Sequence, residues 1–234
     1  MSLENQTVML TGAAGNLGSA VATAFAAQGA RLVLLGRRLD DLQAAFGEAG
    51  DNRLFLAADL LDAAQVAGAL AAAVARFGRV EVLCNLAGGF RMGQAVHETE
   101  DGTWNLMLDL NARTLLNTAR AVVPHMLARG GGRIVNVGAA AAQKGMAQMG
   151  AYAASKSSVI RLTEAMAAEL REHNINVNCV LPTILDTPEN RAAMPGADPT
   201  RWVAPADLAS VIVFLASPAA RAVHGAALPV TGLS

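Results

Sequence analysis

Short apolar runs alternate with amphipathic stretches along most of the chain. Residues 8–10 form such a run, extended to Thr11, and lead into a turn with glycines at 12, 15 and 18. After the turn, Ala20, Val21, Ala24, Phe25 and Ala27 recur at helical spacing until Gly29 stops the pattern. A second apolar run follows at 31–35. The alternation continues with predicted strands at 53–57, 80–84, 133–137, 175–181 and 227–230. Predicted helices cover 62–77, 103–129, 150–173 and 205–216. About seven strands joined by helical crossovers predict an α/β fold, a doubly wound parallel sheet with helices on both faces, as one domain over 1–234. Pro182, Pro188, Pro195 and Pro199 break up the stretch 183–204, which reads as irregular. A loop of that length in a compact fold suggests a substrate lid.

Bulk properties narrow the classes. The 234 residues are 53% hydrophobic and include 22 glycines, which suits a buried parallel sheet with many tight turns. The net charge is −1 and no basic face stands out, so nucleic acid is not an expected partner. No segment approaches the roughly 20 apolar residues a membrane span needs, and no leader pattern precedes the first strand, so a cytoplasmic, membrane-free chain is expected. Cys84 and Cys179 fall in separate strands and read as small buried hydrophobes; the four histidines lack ligand spacing, so no metal site is expected.

The first strand, glycine turn, helix and second strand form the unit that binds dinucleotides in Rossmann sheets. Glycines allow the tight turn and close approach of a pyrophosphate, and the helix start offers unpaired N–H groups. An acidic residue ending the second strand would hold a ribose 2′-hydroxyl. This chain has Gly36-Arg37-Arg38 there, and a guanidinium suits a 2′-phosphate, so NADP is favoured over NAD. The plainer alternative makes both arginines surface charges ahead of a helix that opens on Asp40 and Asp41. Ligands of such sheets bind at the carboxyl ends of the strands. That edge collects 12–18, 36–37, Asp59, 85–89, 138–142 and 182–187.

Tyr152 and Lys156 follow the fifth predicted strand and belong to the same edge. Four residues apart on a helix, they share one face. An ordinary tyrosine has a pKa of about 10 and is a poor acid or base at neutral pH. A nearby ammonium is expected to lower it and make the phenol a usable proton donor or acceptor. Tyr and Lys at this spacing also occur on helices without chemistry.

Taken in order, Thr11-Gly12 through Gly18, Asp59-Leu60, Asn85-x-Ala87-Gly88, Asn111, Tyr152-x-x-x-Lys156 and Asn178-x-Val180-x-Pro182 followed by Thr187 resemble the short-chain dehydrogenase/reductase family over nearly the whole chain. The resemblance implies that Gly12, Ala14, Asn16, Leu17 and Gly18 wrap the pyrophosphate, with Arg37 at the adenosine end. It implies that Asp59 and Leu60 border the adenine, and that Asn85, Ala87 and Gly88 line the adenosine ribose region. Pro182 and Ile184 would touch the cofactor from the sixth strand. Tyr152 would exchange the proton, Lys156 would lower its pKa and hold the nicotinamide ribose, and Asn111 would anchor a proton relay. The substrate would be a small molecule, and a homodimer or homotetramer built on the helices near 103–129 and 150–173 is implied. Asp59 could instead cap a helix, and Asn111 could satisfy a helix kink.

Four positions depart from the family pattern. The middle glycine is Gly15, with Asn16 after it, where Asn's tolerance of left-handed geometry is expected to keep the turn intact. Leu86 replaces a usual Asn and Thr183 a usual Gly. The family's catalytic Ser, thirteen residues before the Tyr, is Ala139, and 137–142 holds no hydroxyl. A methyl cannot bond a substrate oxygen, and losing such a donor costs about 10²–10³ in rate. The run 181–202 resembles the quinonoid dihydropteridine reductase branch, which works without that Ser and usually prefers NADH. An acceptor of that conjugated type therefore ranks first. A 3-oxoacyl thioester or ketone reductase is the alternative, and a dinucleotide-sensing protein without catalysis is the third.

Overall fold

The computed structural model describes residues 3–234. Seven strands, β1 (Thr7–Thr11), β2 (Arg31–Gly36), β3 (Arg53–Ala57), β4 (Val82–Asn85), β5 (Gly132–Val137), β6 (Ile175–Pro182) and β7 (Ala227–Val230), form one sheet in the order β3-β2-β1-β4-β5-β6-β7. Every pairing is parallel. The helices are α1 (Asn16–Ala26), α2 (Leu39–Phe46), α3 (Ala63–Phe77), α4 (Asp101–Leu108), α5 (Thr114–Ala128), α6 (Gly150–Leu170), α7 (Pro188–Ala193) and α8 (Pro205–Ala216).

The apolar runs are continuous because the sheet is buried on both faces. Val8 and Leu10 of β1 join Leu32 and Leu34 of β2 in a core with Phe25 of α1 and Leu208 and Ile212 of α8. Met9, Val33 and Leu35, one residue out of phase, join Ala73 of α3, Met126 of α5 and Leu170 of α6 in the opposite core. Cys84 and Cys179 are buried with free thiols, as expected. Asp62 starts α3 by accepting N–H bonds from Ala64 and Gln65 (2.8 and 3.2 Å). Among the described residues, no helix is long and apolar enough to cross a membrane.

Two expectations need correction. The long helix predicted at 103–129 is interrupted by a π turn, Asp109–Arg113, between α4 and α5. No proline or glycine marks 109–113 in the sequence, so nothing there signals a single π turn inside a helix. The stretch 183–204 is not irregular. It contains α7, started by Pro188 with Thr187 as its cap, and a 3-10 turn at Pro199–Arg201. A parallel bridge between Leu185 and Val203 ties its ends together, and Asp186 pairs with Arg191 (2.8 Å).

Candidate functional site

The order of the sheet reverses between β1 and β4, and the chain leaves these two strands in opposite directions at their carboxyl ends. The Thr11 hydroxyl bridges the gap, accepting from the N–H groups of Leu86 and Ala87 (3.0 and 3.1 Å). This contact presses the glycine turn against the end of β4. A Cβ on Gly12 would lie 2.9 Å from the Ala87 Cα, and Gly12 has a φ of +64°. A Cβ on Gly18 would lie 2.3 Å from the Gly12 carbonyl oxygen. Gly12 is therefore required by the close approach of the chain after β4 and by its positive φ, and Gly18 by packing within the turn itself. Gly15 is exposed and caps α1 without any side-chain bond. The helix start thus opens to solvent, with backbone N–H groups that helix geometry leaves unpaired.

Asn16 does not need left-handed geometry. It is the first residue of α1, outside the positive-φ positions, so the departure at 16 leaves the turn regular. Its amide donates to Glu189 of α7 (2.7 Å). Ala14 and Leu17 are half-buried against the α1 core. Arg37 is exposed at the end of β2 and makes no ion pair among the described residues. Arg38 is committed to Asp40 (3.3 Å) and Asp41 (3.9 Å), as the plainer alternative for it supposed.

Asp59 and Leu60 lie at the same edge, where Asp59 closes a local turn onto the Leu61 N–H (2.9 Å). Asn117 of α5, a buried residue the sequence did not single out, holds this segment by donating to the Leu60 carbonyl (2.9 Å). The Asn85 side chain faces inward. It donates to Asn136 (2.9 Å) and accepts from Thr118 (2.8 Å), and Asn136 continues to Thr163 (2.9 Å). Any contact Asn85 offers a ligand is through its backbone. Pro182 ends β6 and is buried; Ile184 is half-buried beside it and accepts from the Val203 N–H (2.9 Å).

Asn111 sits on the π turn and is 2% exposed. Its carboxamide clamps Gly89 twice, accepting from the N–H and donating to the carbonyl, each at 3.0 Å. It also donates to the Ser155 hydroxyl (3.0 Å), which in turn donates to the Tyr152 carbonyl (2.8 Å). Asn111 therefore sits at the helix interruption that its plainer reading supposed. The π turn aims the side chain at the loop after β4 and ties that loop to α6.

Lys156 is 6% exposed, and its ammonium donates to the Val137 carbonyl at the end of β5 (2.8 Å). Desolvation pulls its pKa down to about 8. Tyr152 runs against the expectation from spacing. Burial pushes its phenol up to about 12, and Lys156 is not among the causes of that shift. The lysine faces a carbonyl rather than the phenol, so desolvation decides the sign. The Phe90 ring meets the Tyr152 ring edge-on, with centroids 4.8 Å apart at 88°. Phe90 is half-exposed and went unnoticed in the sequence, although an aromatic directly after Gly88-Gly89 could have marked it. Ala139 is buried, 5% exposed, where the family pattern has a hydroxyl.

Residues 6–197 match the model of the short chain dehydrogenase family. This chain belongs to that family. It is 34% identical to D-threitol dehydrogenase of Mycolicibacterium smegmatis, over 98% of this chain and 93% of that protein. It is 31% identical to the 3-oxoacyl-(acyl-carrier-protein) reductase of Vibrio cholerae, over 99% of this chain and 98% of that one. Among solved structures it resembles 3-ketoacyl-(acyl-carrier-protein) reductase from Brucella melitensis complexed with NADH, with a TM-score of 0.89 and 31% identity over 99% of this chain and 98% of that one. A short-chain type dehydrogenase/reductase from Mycobacterium ulcerans matches with a TM-score of 0.93 and 26% identity, covering 100% of this chain and 90% of that chain.

Replacing Asn111 by Ala would leave the Gly89 N–H without its acceptor. A loss of about 1–3 kcal/mol in unfolding free energy is expected, with faster amide hydrogen exchange at Gly89. Unchanged exchange there would mean the clamp does not hold the loop.

Proposed function

We propose that this chain is an NADP-preferring short-chain oxidoreductase in which Tyr152 delivers a proton to a conjugated, electron-poor ring acceptor of the quinonoid dihydropterin or quinone type. The bound nicotinamide dinucleotide supplies the hydride. The observation that carries this reading is a neutral phenol and a buried ammonium on one face of α6, at the edge where the glycine turn opens.

The protonated phenol is the form a reductive step needs, and an ordinary tyrosine already holds it at neutral pH; burial makes this phenol a weaker acid, so proton release relies on the nearby Lys156 charge. Proton delivery leaves a phenolate in a desolvated place, where the Lys156 charge on the same helix face favours it. With a pKa of about 8, Lys156 is mostly charged at neutral pH and loses its proton as pH rises through that value. The support for Tyr152 therefore belongs to the neutral and acid side. Asn111 holds Gly89, and through Ser155 the Tyr152 backbone, so the loop and the helix keep their spacing. The chain fits a dinucleotide at the exposed start of α1, where the cap at Gly15 brings no side chain in the way of a phosphate. Arg37, with no ion pair among the described residues, supports NADP.

Ala139 supports the choice of acceptor. Its methyl cannot steady a developing alkoxide, whereas a quinonoid ring takes hydride without one. Phe90 adds a flat apolar wall beside the phenol. A second reading, reduction of a 3-oxoacyl thioester, draws on the similarity to the Vibrio cholerae and Brucella melitensis reductases; Ala139 weighs against it. A dinucleotide sensor would need neither Tyr152 nor Lys156. We also propose self-association as a homodimer or homotetramer along the helices near 103–129 and 150–173, where Trp104 and Leu106 of α4 and Leu127 of α5 are exposed, and a cytoplasmic location.

The deciding assay offers NADPH and NADH with a quinonoid dihydropterin and a panel of small ketones. Turnover of the pterin with NADPH preferred is expected; activity on ketones alone would overturn the choice of acceptor. Tyr152→Phe is expected to lower turnover by about 10²–10⁴ and leave dinucleotide affinity within about twofold of the unsubstituted protein's. Equal loss of both would make Tyr152 a structural residue. Ala139→Ser is expected to raise ketone reduction by about tenfold or more. No gain would mean that position 139 does not face the substrate oxygen.

A further inference from the structure

A dinucleotide at the carboxyl edge would span several strands, and the order of the sheet sets which half lies where. The phosphates belong at the turn after β1, and the reactive ring belongs near Lys156, which is bonded to the end of β5. In the order β3-β2-β1-β4-β5, the other half then extends from β1 toward β2 and β3, away from Lys156. Neighbouring strands lie about 4.8 Å apart, which puts the chain leaving β3 about 10 Å to that side of β1. That chain is the segment 59–61.

The segment is exposed or half-buried and is bonded mostly to itself. Asp59 donates its N–H to the Gln65 side chain (2.9 Å) and accepts the Leu61 N–H on its own carboxylate (2.9 Å). The Asp62 N–H closes back onto the Asp59 carbonyl (3.1 Å). One tie comes from elsewhere in the fold. The Asn117 amide on α5 donates to the carbonyls of Leu60 (2.9 Å) and Leu61 (3.2 Å), 57 and 56 residues away in the chain. One nitrogen with two protons to give serves both carbonyls. Asn117 is 5% exposed, so its amide has given up water for these bonds.

The next residue does the same for the next strand end. Thr118 donates to Asn85 at the end of β4 (2.8 Å). Consecutive residues of one helix therefore hold both chain segments that would border the adenosine. Val122 and Met126 fix that helix in the core under the sheet, so the anchor is firm. Asn111 instead holds the loop at Gly89, beside the lysine. The two buried amides serve opposite ends of the ligand.

We propose that Asn117 is a positioning residue for the adenine-bearing half of the cofactor. It touches no ligand. It fixes the place of Leu60, against which the adenine would lie, and so sets the affinity for a dinucleotide over a mononucleotide. This role rests on the dinucleotide reading of the edge and is independent of the acceptor and of the choice between NADP and NAD.

The test compares NADPH and NADH with reduced nicotinamide mononucleotide, which lacks the adenosine half, on the whole protein. All three carry the fluorescent dihydronicotinamide, so fluorescence titration reads each affinity directly. In the unsubstituted protein both dinucleotides are expected to bind at least about tenfold more tightly than the mononucleotide. Asn117→Leu is expected to weaken both dinucleotides by about five- to tenfold and to leave the mononucleotide within about twofold. A residue that only supports the fold would lower all three alike. Equal weakening of all three, or unchanged dinucleotide affinity in a folded Asn117→Leu protein, would each overturn the assignment. If Asn117→Leu does not fold, Asn117→Ser, whose shorter side chain cannot serve both carbonyls, decides by the same comparison. Dinucleotides bound no better than the mononucleotide by the unsubstituted protein would overturn the adenine placement, and this role with it.

Discussion

Burying the ammonium of Lys156 is the constraint around which the carboxyl edge of the sheet is arranged. An ammonium so far from water needs an oxygen to accept from it. Val137 supplies one because β5 pairs with β4 only as far as Asn136, after which the β4 chain swings away. That swing is fixed by the Thr11 hydroxyl, which holds Leu86 and Ala87. The space beside the ammonium exists only because Gly88 lacks a side chain, since a Cβ there would lie 3.1 Å from the Lys156 Nζ and 2.7 Å from the Asn111 oxygen. The reversal of strand order, the glycine after β4 and the π turn are thus parts of one solution to a desolvated charge.

The same constraint explains why the phenol and the lysine are not yet a coupled pair. Sharing a helix face places Tyr152 and Lys156 within reach of each other, but spacing does not say which acceptor the ammonium prefers. In this chain the carbonyl at the end of β5 wins, and the phenol is left with Phe90 and its own desolvation. The outcome is a phenol that burial makes a weaker acid than an ordinary tyrosine. Ala139, buried just after the end of β5, brings no hydroxyl to this edge.

Much of the fold was legible because it follows from local pattern. The strand at 53–57, the helix at 205–216 and the strand at 227–230 match the observed bounds. Continuous apolar runs marked strands buried on both faces, and Gly12 and Gly18 marked the turn. Elements that depend on contacts distant in sequence were not legible. The π turn at 109–113 exists for Asn111 to reach Gly89, and α7 is held by the bridge from Leu185 to Val203. Asn85 turned inward because Thr118 and Asn136, on two other elements, complete its hydrogen bonds. The direction of the Tyr152 shift escaped for the same reason, since it depends on how much of α6 the loop at Phe90 covers.

Tyr152 is the only tyrosine in the chain, so its ionisation can be followed without interference from another phenol. Ultraviolet titration of the free protein, with circular dichroism to confirm that it stays folded, reads the central claim most directly. Burial holding the phenol at about 12 predicts almost no tyrosinate at a pH of about 10, in the native protein and in Lys156→Met alike. A phenol half ionised at or below a pH of about 10 would contradict it.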